Sequence, residues 1–228
     1  MKKNILLATF CLAICNFMIS VASAQSPLRL GLRLSPIVSF ASVTDNDKNT
    51  INGVDASGRL GINGGLIGVY QFTDKFGIQS GLQICTRGFT VTRTGAEQSS
   101  QVTIVEIPAL LHMRTNEISN GLRARGIFGS TIGILAGASS DIKVNGSTTS
   151  DKKGDNFSSL QFDFTFGAGA EWSLGNAGTF DFGLSYHLPL ALMSDKIVNP
   201  NSGNGNGYSF QDARLKLGYL ALDISYYF

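Results

Sequence analysis

The sequence is poor in cysteine, in histidine and in long apolar runs, and each shortage excludes a class of protein. Of its three cysteines, Cys11 and Cys15 lie in an N-terminal segment that we expect to be removed, which leaves Cys85 alone. An intrachain disulfide is therefore not expected. With two histidines and no cysteine–histidine cluster, the chain lacks the ligand spacing of a zinc site, and we expect no metal and no cofactor. No run of about twenty apolar residues follows the N-terminal segment, so no membrane-spanning helix is expected.

Residues 1–24 have the composition of a secretory signal peptide. Lys2 and Lys3 precede a mostly apolar stretch without charge, and Ala22-Ser23-Ala24 has the small side chains of a cleavage site. An uncleaved N-terminal anchor is the alternative. The chain has 18 basic and 16 acidic residues, and without the two leader lysines the signs balance at 16 each, which gives no reason to expect nucleic acid as a partner. We predict that residues 1–24 direct export and that residues 25–228 form a single domain.

The exported part alternates between apolar and polar residues over about eight long runs. The clearest run is 160–173, where apolar residues occupy the even positions from Phe162 to Trp172 and polar residues or glycine occupy the odd ones. Runs of this length exceed the usual soluble strand of about five or six residues. They suit a tilted strand that crosses a bilayer in about 9–11 residues. We therefore expect strands with one face toward lipid.

The links between these runs alternate in length. Short links are expected at 73–75, 115–120 and 175–178, and long polar links at 41–57, 138–158 and 193–212, with 95–100 as a shorter member of the second set. In outer-membrane barrels, short turns lie on the periplasmic side and longer loops outside the cell. Because a sheet in lipid must close to satisfy its edges, we predict an all-β fold: a single-domain antiparallel transmembrane β-barrel of about eight strands. A soluble sandwich or lipocalin-like barrel, with the apolar face inward, is the alternative.

The segment 213–228 shows the same alternation and ends on an aromatic residue. Gly218, Tyr226 and Phe228 lie on its apolar face, and Asp223 lies on the other. In outer-membrane barrels, a last strand of this kind is what the assembly machinery recognises. We therefore predict that Gly218, Tyr226 and Phe228 carry a barrel-assembly signal and that the outer-membrane assembly machinery is a partner.

Two stretches resemble a known family. Thr103–Met113 reads TIVEIPALLHM, and Gly64–Phe89 combines a glycine-rich strand, a tight turn and a strand that ends in Arg-Gly before Phe89. Both are similar to the porin-family β-barrel domain common in Bacteroidota, to which PorT-like proteins belong. The resemblance implies location in the outer membrane, and it leaves open a role as an accessory subunit of a protein secretion or assembly machine. It implies no functional residue.

If the apolar face meets lipid, the polar face must fill the lumen. The residues expected there are Arg29, Arg33, Arg59, Arg87, Glu106, His112, Arg114, Arg123, Arg125, Asp163, Glu171, Asp181, His187 and Asp223. Arginine can bond several carboxylates at once, and a barrel of about eight strands is only wide enough for side chains to fill it. We therefore expect an ion-pair plug. A narrow polar conduit or a ligand pocket is the alternative.

Nothing in the sequence indicates an enzyme. His112 and His187 both lie on the predicted lumen face, and no Gly-x-Ser-x-Gly nucleophile motif is present. The function we expect is that of an integral outer-membrane protein with a structural or interaction role, its long loops exposed outside. The alternatives are an accessory secretion subunit and a narrow porin-like channel for small solutes. Expected partners are outer-membrane lipid and lipopolysaccharide, which Arg214 and Lys216 could meet at the outer end of the last strand, and a further envelope protein.

Overall fold

A computed structural model describes residues 28–144, 147–151, 156–199 and 209–228. The predicted signal peptide, residues 1–24, lies outside these ranges. The described residues form eleven strands and one short 3-10 turn, Gly175–Ala177. The strands are β1 (Leu28–Thr44), β2 (Val54–Gly58), β3 (Leu60–Gln71), β4 (Phe76–Arg93), β5 (Ala96–Arg114), β6 (Leu122–Val144), β7 (Ser147–Asp151), β8 (Leu160–Ser173), β9 (Thr179–Pro189), β10 (Ser194–Asn199) and β11 (Ser209–Tyr227).

Eight of these strands form a closed ring. Their order is β1-β3-β4-β5-β6-β8-β9-β11, and β11 pairs again with β1. Every neighbouring pair is antiparallel, and the closing seam runs from Gly31 opposite Tyr227 to Thr44 opposite Arg214. The prediction of an antiparallel barrel of about eight strands is confirmed.

The two faces of the barrel wall differ sharply in chemistry. On β1, Leu34 is 56% exposed on the outside, whereas the next side chain, Ser35, is fully buried inside. Most large apolar side chains of the ring point outward in the same way, and most buried charged and polar side chains point inward. A soluble barrel would have the opposite arrangement, so the soluble alternative is wrong. Among the described residues, no helix is long and apolar enough to cross a bilayer.

The short links lie where the sequence predicts them, at the rim that also carries the beginning of β1 and the end of β11. We refer to this end as the periplasmic rim, because outer-membrane barrels carry their short turns there. The opposite, outer rim differs from the prediction. The strands continue through much of the expected long links, which contain β2, β7 and β10. Polar side chains can point outward in these extensions because water, and not lipid, surrounds the wall above the bilayer.

The predicted loop at 95–100 is wrong. Arg93 pairs with Ala96, so β4 and β5 are joined by Thr94 and Gly95 alone. Gly95 has φ +82°, a left-handed conformation that glycine adopts readily and that tight hairpins require. The resulting hairpin projects well beyond the outer end of β3, with β2 along one side and β6 along the other.

Candidate functional site

A buried arginine on β4 organises the middle of the lumen. The Nη2 atom of Arg87 donates to Glu106 on β5 and to Asp163 Oδ2 on β8, the latter at 2.6 Å, and its Nη1 donates to the backbone oxygen of Leu217 at 3.2 Å. The side chains of Arg87, Glu106 and Asp163 are at most 2% exposed. Buried charges are tolerated when they are paired and hydrogen-bonded, as they are here.

Tyr219 connects this cluster to the last strand. Its hydroxyl donates to Glu106 Oε2 at 2.9 Å, and the Arg87 guanidinium carbon lies 4.3 Å from the centre of its ring. The His187 ring stacks on its ring with centroids 4.0 Å apart. Asn63 donates to the same Glu106 oxygen at 3.1 Å. We call the set Asn63, Arg87, Glu106, Asp163, His187 and Tyr219 the charged layer.

A second group of ion pairs lies between the charged layer and the periplasmic rim. Arg125 on β6 contacts Asp181 at 2.6 Å, and its Nη2 atom lies 3.6 Å from Asp223 on β11. Ser35 donates to Asp223 at 3.0 Å, and Arg33 donates to the hydroxyl of Ser225 at 3.0 Å. This group ties β1, β6, β9 and β11 together across the lumen.

Glu171 is the centre of a third group, at the periplasmic rim. Arg29 bonds it at 2.8 Å, His112 lies 3.1 Å away, and Arg114 lies 3.6 Å away. Arg123 lies on the same inward face of β6, where its Nε atom is buried and finds no hydrogen-bond acceptor among the described residues. Each carboxylate of the lumen is thus matched by at least one guanidinium.

Fourteen residues were expected in the lumen from the sequence. Twelve of them belong to these three groups, and Arg123 lies beside the third. The remaining one, Arg59, was wrongly placed. It is exposed, lies between β2 and β3, and donates to the hydroxyl of Ser99 at 2.8 Å. Asn63 and Tyr219 were missed, because only charged side chains and histidines were considered, although both alternate inward on their strands.

The polar filling does not extend through the whole lumen. On the outer side of the charged layer, the lumen is closed by an apolar layer of seven buried residues: Phe89, Val91, Val102, Ile104, Met193, Leu215 and Leu217. Phe157 packs edge-on against Phe89, with ring centroids 6.2 Å apart. The expectation that only polar side chains line the lumen is therefore wrong. It fails most clearly in this half, where the wall packs like that of a soluble barrel, but Ile67 and Val69 are also buried inside near the periplasmic rim.

The site offers little room for catalysis or metal binding. His112, Glu171 and Asp181 have ligand atoms within 4.8 Å of one another, but guanidinium groups already bond both carboxylates, and a divalent cation would have to displace them. His187 lies 3.4 Å from the Ser185 hydroxyl, but its other ring nitrogen lies beside the Thr165 hydroxyl and not beside an acid. A serine nucleophile normally needs an oriented base and access to substrate, and this pair is buried under Tyr219. The arrangement favours a structural role for these groups.

Comparisons with known proteins agree with the architecture. A family model described as "Outer membrane protein beta-barrel domain" matches residues 23–194. The solved structure of the outer membrane protein OprG from Pseudomonas aeruginosa is similar, with 16% identity, a TM-score of 0.57, and coverage of 88% of this chain and 95% of that chain. Ail, the attachment invasion locus protein of Yersinia pestis, has 13% identity and a TM-score of 0.38 over 88% of this chain and 98% of that chain. Comparison with curated proteins gives no match. At 16% identity the likeness to OprG shows the fold alone.

Proposed function

The chain belongs to the family of outer membrane protein beta-barrel domains, and from this premise we propose that it is a closed, non-conducting barrel with a structural or interaction role. The observation that carries the proposal is the double closure of the lumen. The charged layer fills the middle of the barrel, and the apolar layer fills the lumen above it. A solute would have to separate Arg87 from two carboxylates and then cross the apolar layer, which disfavours the alternative of a narrow channel.

The contact surface in this proposal is the part of the barrel wall that rises above the bilayer. β5 has 19 residues and β6 has 23, far more than the roughly 9–11 that a bilayer crossing needs. The excess, together with β2, β7 and β10, forms a sheet beyond the outer rim. Such a rigid surface presents side chains in fixed positions, which lowers the entropy lost on binding a partner.

An accessory role in a secretion or assembly machine is the second candidate. The resemblance of Thr103–Met113 to PorT-like proteins favours it. Export by a cleaved signal peptide, which we propose for residues 1–24, fits both candidates. The two candidates place the partner at opposite rims. A partner of the outer sheet would meet residues such as Lys143 and Thr149, whereas a periplasmic machine would meet the short turns that carry Lys75 and Glu117.

Site-specific photocrosslinking in cells tests both. A photoreactive residue at Thr149 or at Lys143 is expected to trap a stoichiometric envelope protein, and one at Lys75 or Glu117 is expected to trap only transient assembly factors. A stoichiometric adduct restricted to the periplasmic positions would replace the leading proposal with the accessory-subunit role. Conductance of the purified barrel in planar bilayers would overturn the claim of a closed lumen.

A further inference from the structure

The side-chain pattern of the wall inverts at a definite height on the seam between β1 and β11. Below this height the outward side chains are apolar, and the last ones are Phe40 on β1 and Leu220 on β11, 45% and 36% exposed. Above it the outward positions are Ser42 and Thr44 on β1 and Lys216 and Arg214 on β11. The inward positions change in the opposite sense, from Asp223 and Ser225 to Leu215 and Leu217. The inversion marks where the wall leaves lipid.

The cations lie one membrane thickness above the periplasmic rim. The Tyr226 hydroxyl donates to the backbone oxygen of Ala177 in a periplasmic turn, which fixes the lower end of the outward row. Lys216 lies ten residues away on the same strand and the same face. With about 3.4 Å per residue and a strand tilt of about 40°, this separation corresponds to about 26 Å along the membrane normal. The apolar band of outer-membrane barrels is about 25 Å tall, so Lys216 lies at the level of the outer head groups.

Three cations and two hydroxyls surround one cavity at this height. Ser42 pairs directly with Lys216, and Thr44 pairs with Arg214, so all four side chains project from adjacent outward positions. Lys48 reaches the same cavity from the turn after β1, and the cavity has a volume of about 200 Å³. Among the described residues, none of these three cations takes part in a salt bridge, unlike four arginines of the lumen, Arg29, Arg87, Arg114 and Arg125.

The acids nearest in sequence, Asp45, Asp47 and Asp212, form no salt bridge with these cations. The Asp45 carboxylate accepts the backbone N–H of Asn49 at 2.7 Å and the Asn49 amide at 3.4 Å, which holds it within its own turn. Asp212 projects from β11 two residues farther out, opposite Lys196. The positive charge therefore concentrates directly above the lipid-facing wall.

We propose that Lys48, Arg214 and Lys216, with the hydroxyls of Ser42 and Thr44, bind a phosphate group of lipopolysaccharide in the outer leaflet. Arginine and lysine bind phosphate through charge-assisted hydrogen bonds, and the hydroxyls add neutral donors. The apolar surface directly below, with Phe40 and Leu220, receives the acyl chains of the same lipid. This continuity with the lipid-facing wall is why we assign a lipid phosphate and not a free anion. The site concerns the lipid around the barrel and is independent of the contact-surface role proposed above.

The test is equilibrium binding of lipid A to the purified full-length barrel in uncharged detergent. The probes are lipid A with two phosphates, the same lipid after enzymatic dephosphorylation, and inorganic phosphate as a competitor. The variant combines Lys48→Gln, Arg214→Gln and Lys216→Gln. The matched control combines Arg59→Gln, Lys75→Gln and Lys143→Gln, which removes one exposed arginine and two exposed lysines elsewhere and gives the same change in net charge. Heat-modifiable migration on gels verifies that each variant is folded.

Wild type is expected to bind the phosphorylated lipid about tenfold more tightly than the dephosphorylated one, since several exposed ion pairs contribute together. The triple variant is expected to lose that preference, and the control is expected to keep it. Equal binding by variant and control, or equal binding of both lipids by wild type, would overturn the proposal. Displacement of lipid A by inorganic phosphate alone would show a free-anion site and would overturn the assignment to lipid.

Discussion

The guanidinium of Arg87 lies over the ring of Tyr219, 4.3 Å from its centre, while both side chains bond Glu106. This contact lies where the charged layer of the lumen meets the apolar layer. Arg87 belongs to the ion pairs of the membrane-embedded half, and the strand that carries Tyr219 continues outward into the apolar layer through Leu217. The centre of the barrel is therefore a junction between a polar and an apolar core.

Removal of Arg87 should destabilise the barrel strongly. The substitution Arg87→Leu leaves Glu106 and Asp163 buried without their cation, and we expect a loss of about 3–5 kcal/mol in the free energy of unfolding. Urea unfolding in lipid vesicles measures it through the fluorescence of Trp172, the single tryptophan of the chain. Arg59→Leu is the control, and we expect a change within about 0.5 kcal/mol because Arg59 is exposed. Equal effects of the two substitutions would contradict the central role of Arg87.

Loss of the Tyr219 hydroxyl should have a smaller and separable effect. In Tyr219→Phe the ring still stacks on His187 and lies under Arg87, but Glu106 loses a donor. We expect a destabilisation of about 1–3 kcal/mol, the range for a hydrogen bond to a charged group. Combination with Glu106→Gln in a double-mutant cycle checks the assignment, because the two effects should not add. Strict additivity would mean that the hydroxyl acts elsewhere.

The two layers of the lumen should close it independently. Replacement of Arg87, Glu106 and Asp163 together by alanine removes the paired charges without leaving an isolated one, yet the apolar layer remains. We expect no conductance steps in planar bilayers from wild type or from this variant. Additional Phe89→Ser and Leu217→Ser substitutions should admit water to the outer half and produce conductance. Ion flow through the first variant alone would show that the apolar layer does not seal the lumen.

Gly218 should be intolerant of any side chain. A Cβ atom there would lie 2.7 Å from both the His187 backbone oxygen and Cδ of Pro189, so β9 and β11 would have to separate. We expect Gly218→Ala to lower the free energy of unfolding by about 1–3 kcal/mol. Gly137→Ala is the matched control, since a Cβ at that strand position meets no atom within 4 Å. If Gly218→Ala folds with full stability but assembles poorly in cells, its role in the assembly signal would be separate from packing.

The sequence predicted the membrane-embedded wall well because lipid imposes one rule on it. Outward side chains in lipid are predominantly apolar, so alternation identifies both the strands and their two faces, as in Leu34 and Ser35. Above the bilayer this rule no longer holds. There Val91 and Leu215 point inward, and reading every apolar residue as lipid-facing assigns them to the wrong side. The extensions β2, β7 and β10 were interpreted as loops for the same reason, because their composition is polar.

The pairing of the lumen charges could not be derived from the sequence. Arg87 on β4 and Glu106 on β5 lie on neighbouring strands. Asp163 lies on β8, three strands from Arg87 round the ring, and it reaches Arg87 across the lumen. Which inward residues meet across a barrel depends on the stagger of the strands, and alternation carries no information on it. Inclusion of inward aromatic and amide residues would have added Tyr219 and Asn63, since their positions in the alternation were readable.

The inversion on the β1–β11 seam also makes the protein sensitive to bilayer thickness. A hydrocarbon core several ångströms thicker would bring Ser42 and Lys216 into lipid, and a thinner one would leave Phe40 in water. Each ångström of hydrophobic mismatch costs a fraction of a kcal/mol, and because the closed wall is stiff, the surrounding lipid must deform to meet it. The height of the outward apolar row therefore determines how deeply the barrel sits in the bilayer. It also determines which regions of a membrane accommodate the barrel with the least distortion.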